Sequence, residues 1–339
     1  MDDRRLTRTL QRWFEHNAAD LPWRRRRTAY RALVAEAMLQ QTQVTRVAER
    51  FPAFLRQFPS LRALAEADEQ AVLAAWQGLG YYRRARHLHQ AAKVIRTRHA
   101  GRVPQSAEAL RQLPGVGRYT AGAIASIVFG RAEPIVDGNV RRLLLRWHEG
   151  IAPPESAARA AWCWRRAGEL VHVAADPGLF NEAMMELGRV ICAPRSPRCD
   201  ACPLRRQCVT GRNGRTAQSK PSAGSSTRPV LHHHAVIIRR GDRILLEQRP
   251  TGGMWPGMWQ TPTVESSRPL AAEEVACELP IRVSDMRFLR RFEHSTTHRR
   301  VTFHVFEART RVRRGTWRDP DNTDDLPMGN AQRKALSLI

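Results

Sequence analysis

One change of pattern constrains this chain more than any other feature. Up to about Cys208, apolar residues recur at three- and four-residue spacings. They do so in Leu61 to Trp76 and in Tyr119 to Val128, where Ile124, Ile127 and Val128 form one stripe. That is the period of helices buried along one face. Beyond Pro229 the period falls to two. Ala235 to Ile238, Ile244 to Gln248 and Val301 to Phe306 read as strands, with Val301, Phe303 and Val305 alternating with Thr302, His304 and Phe306. Between the two regimes Gly211, Gly214, Pro221, Gly224, Ser225, Ser226 and Pro229 sit among basic and polar residues without any apolar period, which is the composition of a linker. The expected organisation is an α-helical domain over 1–208, a linker over 209–229 and a smaller α/β or mostly β domain over 230–339. The length of 339 residues suits two domains of about 150 residues each.

Charge narrows the partners. Lys and Arg total 56 against 32 Asp and Glu, a net charge of +24, and only Lys93, Lys220 and Lys334 are lysines. Coding bias explains a choice of Arg over Lys but not the shortage of acids. An excess of this size favours a polyanion such as nucleic acid. The longest apolar run, from Ala121 to Gly130, is about half of what a membrane-spanning helix needs, and the charged start Met1-Asp2-Asp3-Arg4-Arg5 has no apolar stretch behind it. A protein outside the membrane and in the cytoplasm is expected, associated with the nucleoid if the source is bacterial.

Four of the six cysteines, Cys192, Cys199, Cys202 and Cys208, fall within 17 residues in the spacing C-x6-C-x2-C-x5-C. Disulfides are out of place in a large cytosolic chain, so four thiolates on one loop point to a metal: tetrahedral zinc, or a [4Fe–4S] cluster with one Cys per iron. Spacing alone leaves both open. Arg195 and Arg198 lie between the first two ligands, where a tethered loop can offer them to phosphates. Cys163 and Cys277 read as isolated buried thiols, and His232-His233-His234 as a solvated strand start.

Leu113-Pro114-Gly115-Val116-Gly117 forms a glycine turn between two helical patterns, with the amides at the start of the next helix unpaired. Such a turn suits a phosphate beside a helix N-terminus. Further on, Val136-Asp137-Gly138-Asn139-Val140 places Asp137 where it caps a helix. Glu36, in Ala35-Glu36-Ala37-Met38-Leu39, is surrounded by apolar residues, so it is either paired or held protonated by desolvation. Two carboxyl groups with divided roles are what cleavage of a glycosidic bond requires.

In this order and spacing the motifs resemble the helix–hairpin–helix superfamily of base-excision DNA glycosylases, and within it the MutY-type, adenine-removing branch. The matching stretches are Leu21-Pro22-Trp23-Arg24, EAMLQQTQV from Glu36, WQGLGYYRRAR from Trp76, LPGVGRYTAGAI from Leu113, VDGNV from Val136, FNEAMMELG from Phe180 and the four cysteines. The resemblance covers essentially the whole chain. It implies a mainly α N-terminal domain with a [4Fe–4S] loop at 192–208, plus a smaller α/β, Nudix-like C-terminal domain.

Residue by residue, the resemblance makes Glu36 the general acid that protonates adenine N7. Asp137 becomes the carboxylate that stabilises the oxocarbenium-like sugar through a covalent intermediate, with Tyr119 and Asn139 supporting both. Trp23, Arg24 and Glu182 would line the adenine pocket. Gln41 and Tyr81 would fill the stack once adenine is flipped out, and Gln40, Thr42 and Leu79 would surround the opposing 8-oxoguanine. Gly115, Gly117, Arg141, Arg195 and Arg198 complete the DNA contacts. Related glycosylase/lyases carry a nucleophilic lysine after the hairpin Gly-Arg; Tyr119 stands there and cannot form a Schiff base, which implies a monofunctional enzyme.

The C-terminal half lacks the acidic helix that a catalytic Nudix box uses to hold magnesium; Glu273 and Glu274 have no such surroundings. The resemblance therefore implies a recognition module for 8-oxoguanine. Thr296-Thr297-His298, after Phe292-Glu293-His294-Ser295, stands where the family usually has Phe-Ser-His, and Thr297 and His298 are the expected contacts. The expected substrate is double-stranded DNA with adenine opposite 8-oxoguanine or guanine, and the expected state is a monomer. Two other readings are weaker. A pyrimidine-lesion glycosylase/lyase conflicts with Tyr119 and residues 230–339, and a non-catalytic iron–sulfur DNA-binding protein conflicts with intact Glu36 and Asp137.

Overall fold

The computed structural model describes residues 2–149, 152–153, 156–213, 229–296 and 299–339. The chain divides into two compact units: Met1–Glu66 with His87–Ser222, and Ala67–Arg86 with Ala223–Ile339. The segment 67–86, which the sequence boundaries put with the helical domain, thus groups with the C-terminal residues. No described helix is long and apolar enough to cross a membrane.

The first unit is helical. Its central element is the helix Pro177–Val190, which packs against Asp3–Asn17, Arg118–Phe129 and Gly138–Trp147. Asp176 starts it by accepting a hydrogen bond from the Leu179 amide at 2.9 Å, with Pro177 at the first turn, where no amide donor is needed. The close approach of neighbouring helices depends on missing side chains. A Cβ on Gly178 would meet the Ser126 carbonyl at 2.7 Å, and one on Gly188 would meet Asn139 Cβ at the same distance. Leu6, Leu10, Phe14, Leu143, Trp147, Phe180, Met184 and Leu187 fill the core between these helices.

The helical period read over Leu61 to Trp76 is carried by two helices, Leu61–Glu66 and Glu69–Ala75. Asp68 makes the break. Its side chain accepts from the amides of Gln70 and Ala71, which starts a new helix in place of prolonging the old one.

In the second unit the described strands are β1 (Val230–Arg240), β2 (Arg243–Gln248), β3 (Trp259–Gln260), β4 (Thr263–Ser266), β5 (Ser284–Ser295), β6 (Arg300–Arg309) and β7 (Thr316–Arg318). They pair in the order β3-β2-β1-β6-β5, with β4 on β1 and β7 on β2. β1 and β6 run parallel, with Ala235 opposite Val305, and the other pairs are antiparallel. The sheet is covered on both faces. Ala235, Ile237, Val301, Phe303 and Val305 pack with Ala331 and Ala335 of the helix Asn330–Leu336, while Val236, Ile238 and Phe306 pack with Val275 of the helix Ala272–Glu278. This is an α/β sandwich, and double burial explains why β1 reads as a continuous apolar run.

That same burial overturns the solvated reading of the histidine triplet. His233 and His234 are fully buried. His234 stacks on His304 with ring centroids 4.8 Å apart, and its Nε2 accepts from the Leu270 amide at 2.9 Å. His233 lies against Phe303 and Trp255, and burial pushes its pKa down to about 4. Cys163 is buried as expected, but Cys277 is exposed.

Candidate active site

A cleft of roughly 1100 Å³, counting its open mouth, lies within the first unit. Each wall brings one kind of chemistry. The helix Ala29–Leu39, started by Thr28 accepting from the Arg31 amide, carries Glu36 into it. Tyr119 enters from the first turn of Arg118–Phe129, Asp137 and Asn139 from the start of Gly138–Trp147, and Glu182 and Glu186 from the central helix.

Glu36 is 8% exposed, and its Oε2 has no hydrogen-bond partner among the described residues. Burial, with lesser repulsion from Glu182 and Asp137, pushes its pKa up to about 8. At neutral pH it therefore holds a proton that it can give away. Asp137 is the N-cap of its helix: Oδ1 accepts from the Val140 amide at 2.7 Å and Oδ2 from the Asn139 side-chain amide at 3.0 Å. Both bonds hold the carboxylate in one orientation. Tyr119 donates to Met185 Sδ at 3.0 Å, a weak acceptor, and burial raises its pKa well above the phenol range, so it stays a neutral donor.

The other end of the cleft holds an ionic lattice. Arg24 pairs with Glu182 at 3.0 Å and Glu186 at 3.2 Å, Arg27 with Glu182 at 2.6 Å, and Arg189 with Glu186 at 2.5 Å. Arg24 also lies over Phe14, 4.9 Å from its ring centroid, and Trp23 meets Phe51 edge-on. Arg27, Glu186, Arg189 and Met185 escaped the sequence reading. The two acids did carry a signal: Glu182 and Glu186 stand four residues apart in a mostly apolar helix, hence on one face.

The expected site residues thus separate into groups. Glu36, Tyr119, Asp137, Asn139, Trp23, Arg24, Glu182 and Thr42 line the one cleft. Gln40 and Gln41 follow the Glu36 helix, and Gln41 is exposed with φ +55°. Gly115, at φ +74°, and Gly117 form the exposed hairpin; a Cβ on Gly115 would meet His87 at 2.6 Å. Arg141, Arg195 and Arg198 are exposed, though one Arg198 nitrogen is occupied by the Val190 carbonyl at 2.8 Å. Leu79 and Tyr81 belong to the second unit. Leu79 is only 5% exposed, which withholds its side chain from a ligand, whereas Tyr81 is 49% exposed. Thr297 and His298 lie outside the described residues; on either side of them Thr296 Oγ1 and the Arg299 backbone exchange hydrogen bonds at 3.0 Å.

The four loop cysteines line a single small cavity with Arg146, Arg198 and Arg205. Arg146 donates to Cys192 Sγ at 3.0 Å and to the carbonyls of Ala193 and Pro194. No three of the described His, Cys, Asp and Glu side chains converge as a ligand set for a single ion.

The helical unit thus combines a glycine hairpin with one cleft that holds a protonated carboxyl and an oriented carboxylate, and its match to a family model makes it a base-excision DNA repair protein. Residues 34–165 match the model of the HhH-GPD superfamily of base excision DNA repair proteins, and residues 233–338 match the NUDIX domain. In fold the chain is similar to a thermostable thymine-DNA glycosylase, with a TM-score of 0.57 and 27% identity, over 62% of this chain and 97% of that one. It is 34% identical to the adenine DNA glycosylase of Homo sapiens over 88% of this chain and 66% of that protein. With the adenine DNA glycosylase of Rattus norvegicus the identity is 35%, over 88% and 69%. It spans about two thirds of the length of these relatives. The chain belongs to the adenine DNA glycosylase family.

Proposed function

We propose that the chain releases adenine mispaired with 8-oxoguanine or guanine from double-stranded DNA, as a monofunctional glycosylase acting as a monomer in the cytoplasm. The observation that carries this reading is the pairing, in one cleft, of a Glu36 that holds a proton at neutral pH with an Asp137 oriented by two donors.

In the first step the Glu36 proton passes to adenine N7. The C1′–N9 bond then breaks with its electron pair going to the base. An Asp137 oxygen meets the positive charge left on the sugar and bonds to C1′. Water next attacks C1′, its proton returning to Glu36 as the C1′–O bond to Asp137 breaks. Asn139 keeps Asp137 aimed, and Tyr119 donates a hydrogen bond beside the reacting centre. Trp23, Arg24 and Glu182 supply the wall against which the flipped base rests.

Monofunctionality is supported by what the cleft is made of. A Schiff base needs an amine, and no lysine is among its lining residues; of the three in the chain, Lys93 lies on the helix Arg83–Arg98 and Lys334 lies in the second unit, while Lys220 lies outside the described residues.

The four cysteines would hold a [4Fe–4S] cluster. They line one cavity, and a guanidinium on Cys192 suits a thiolate, so the residues present fit the group. When bound, the cluster would cross-link the loop that carries Arg195 and Arg198. Recognition of 8-oxoguanine is assigned to Thr297 and His298, and phosphate contact to Gly115, Gly117, Arg141, Arg195 and Arg198.

The test is base release from duplexes bearing adenine opposite 8-oxoguanine, guanine or thymine, followed by assay for nicking without added base. Release of adenine from the first two, with an intact strand until alkali is added, is the expected result. Spontaneous nicking would favour a lyase, and loss of no base would end the reading.

A further inference from the structure

The turn Gly78–Tyr81 has an unusual backbone for a surface segment. Gly78, Gly80 and Tyr81 have φ values of +82°, +69° and +48°, and the last is not a glycine. Side chains enforce the turn: Arg84 donates to the carbonyls of both Leu79 and Gly80 at 3.0 Å, and Trp76 Nε1 donates to Gly80 at 3.1 Å. The Arg84 guanidinium lies 5.5 Å from the Trp76 centroid and 5.4 Å from that of Tyr81. The outcome is a large aromatic ring half exposed on a backbone that side-chained residues disfavour. Such strain is retained where a ligand uses it.

What holds this turn lies far away in sequence. Gln77 Nε2 donates to the carbonyls of Leu326 at 2.8 Å and Asp324 at 3.3 Å. The buried Tyr82 hydroxyl donates to the Met328 carbonyl at 3.0 Å. On the flanks, Arg86 donates to the Pro256 carbonyl and pairs with Glu69, and Gln70 donates to the Gly257 carbonyl. Each of these carbonyl acceptors near 256 and 326 belongs to the backbone, so these contacts depend on how the C-terminal segment is folded.

We propose that Gln77 and Tyr82 are positioning residues through which the C-terminal segment sets the posture of Tyr81, an aromatic ring that stacks on a DNA base. The inference deepens the glycosylase reading and rests on it. It gives the Nudix-like domain a second route to the DNA, through the turn it carries, beside direct contact with the opposing base.

The test is a double-mutant cycle in the full chain. The probe is a duplex whose target adenosine carries a 2′-fluorine, which blocks cleavage, with 2-aminopurine beside it to report stacking. Tyr81→Ala should weaken binding about 10-fold, within the range of one lost base–aromatic stack. Tyr82→Phe removes a single oxygen, and Gln77→Glu replaces a donor by an acceptor facing two carbonyls; each should weaken binding several-fold and change the 2-aminopurine emission. Neither should weaken it further when added to Tyr81→Ala, because both act through that ring.

Losses that add in the double variants would overturn the proposal. So would unchanged binding by Tyr82→Phe and Gln77→Glu at whatever melting temperature they show, which would mark a structural role alone. Unchanged binding by Tyr81→Ala would remove the ring as a contact while leaving the glycosylase reading intact. That reading fails separately, if the wild-type chain releases no adenine from the unfluorinated duplex.

Discussion

Arg142 donates to the side-chain oxygen of Asn139 at 2.8 Å while its Nε donates to the carbonyl of Cys192 at 2.8 Å. Asn139 in turn donates to Asp137 at 3.0 Å. One guanidinium therefore fixes the amide that aims the carboxylate, and ties both to the start of the cysteine loop. Arg142→Ala should lower the single-turnover rate of adenine release by at least about 10-fold, the scale of a small misplacement of a reacting group. Duplex affinity should stay within a few-fold. An unchanged rate would show that Asp137 needs no such support.

Glu36 should give the reaction an upper pH limit. Its pKa is raised by burial to about 8, so the acid form is present at neutral pH and lost as pH climbs through that value. Single-turnover rates should be flat near pH 7 and fall above about 8. Glu36→Gln should lose at least about 100-fold and show no such limb. A wild-type rate that keeps rising to pH 9 would exclude Glu36 as the donor.

The same carboxyl should cost stability. In the unfolded chain it ionises above about 4.5, whereas the fold keeps it protonated up to about 8. Its favourable contribution is complete below the lower value and is lost as pH rises toward the upper one. Glu36→Gln should therefore match wild type near pH 4 and be more stable at pH 7, by on the order of 3 kcal/mol. Denaturant titrations at the two pH values measure this. A variant less stable at pH 7 would contradict the desolvation argument.

Cys202→Ser should remove iron and DNA affinity together. The purified wild type should be yellow-brown and contain about four irons per chain. One zinc and no iron after anaerobic purification would replace the cluster assignment with a zinc site.

Changing Thr297 and His298 together to Ala should shrink the preference for adenine opposite 8-oxoguanine over adenine opposite guanine, and should leave base release itself largely unaltered. The two partner bases differ by an oxygen at C8 and a proton on N7, and a site that hydrogen-bonds those groups loses discrimination when they go unread. An unchanged ratio of rates would move lesion recognition elsewhere.

Much of the site was legible because its chemistry is local in sequence. Asp137 and Asn139 act through a helix start that five residues encode, and Glu36 announces itself as an acid among Ala, Met and Leu. The four-cysteine spacing is equally local. What escaped depends on distant neighbours. Nothing near Arg27 says that it pairs with Glu182 of the central helix. The histidine triplet looked solvated because the strand's second face was invisible, although His304 and the helix Ala272–Glu278 cover it. Nor does a glycine-rich turn near residue 80 reveal that carbonyls near residue 326 will hold it.

The ionic lattice of the cleft has a consequence for how this sequence can drift. Glu182 serves Arg24 and Arg27, and Glu186 serves Arg24 and Arg189, with both acids under 5% exposed. Losing Glu182 strands Arg27 and losing Glu186 strands Arg189, while losing Arg24 takes one of two partners from each buried acid, and weakening a buried ion pair from one side is costly. The three buried positions, Arg24, Glu182 and Glu186, depend on one another, whereas Arg27 and Arg189 reach solvent. Any lineage that reshapes this pocket for another base has to exchange Arg24 together with its two acids, or pass through a form that folds less well.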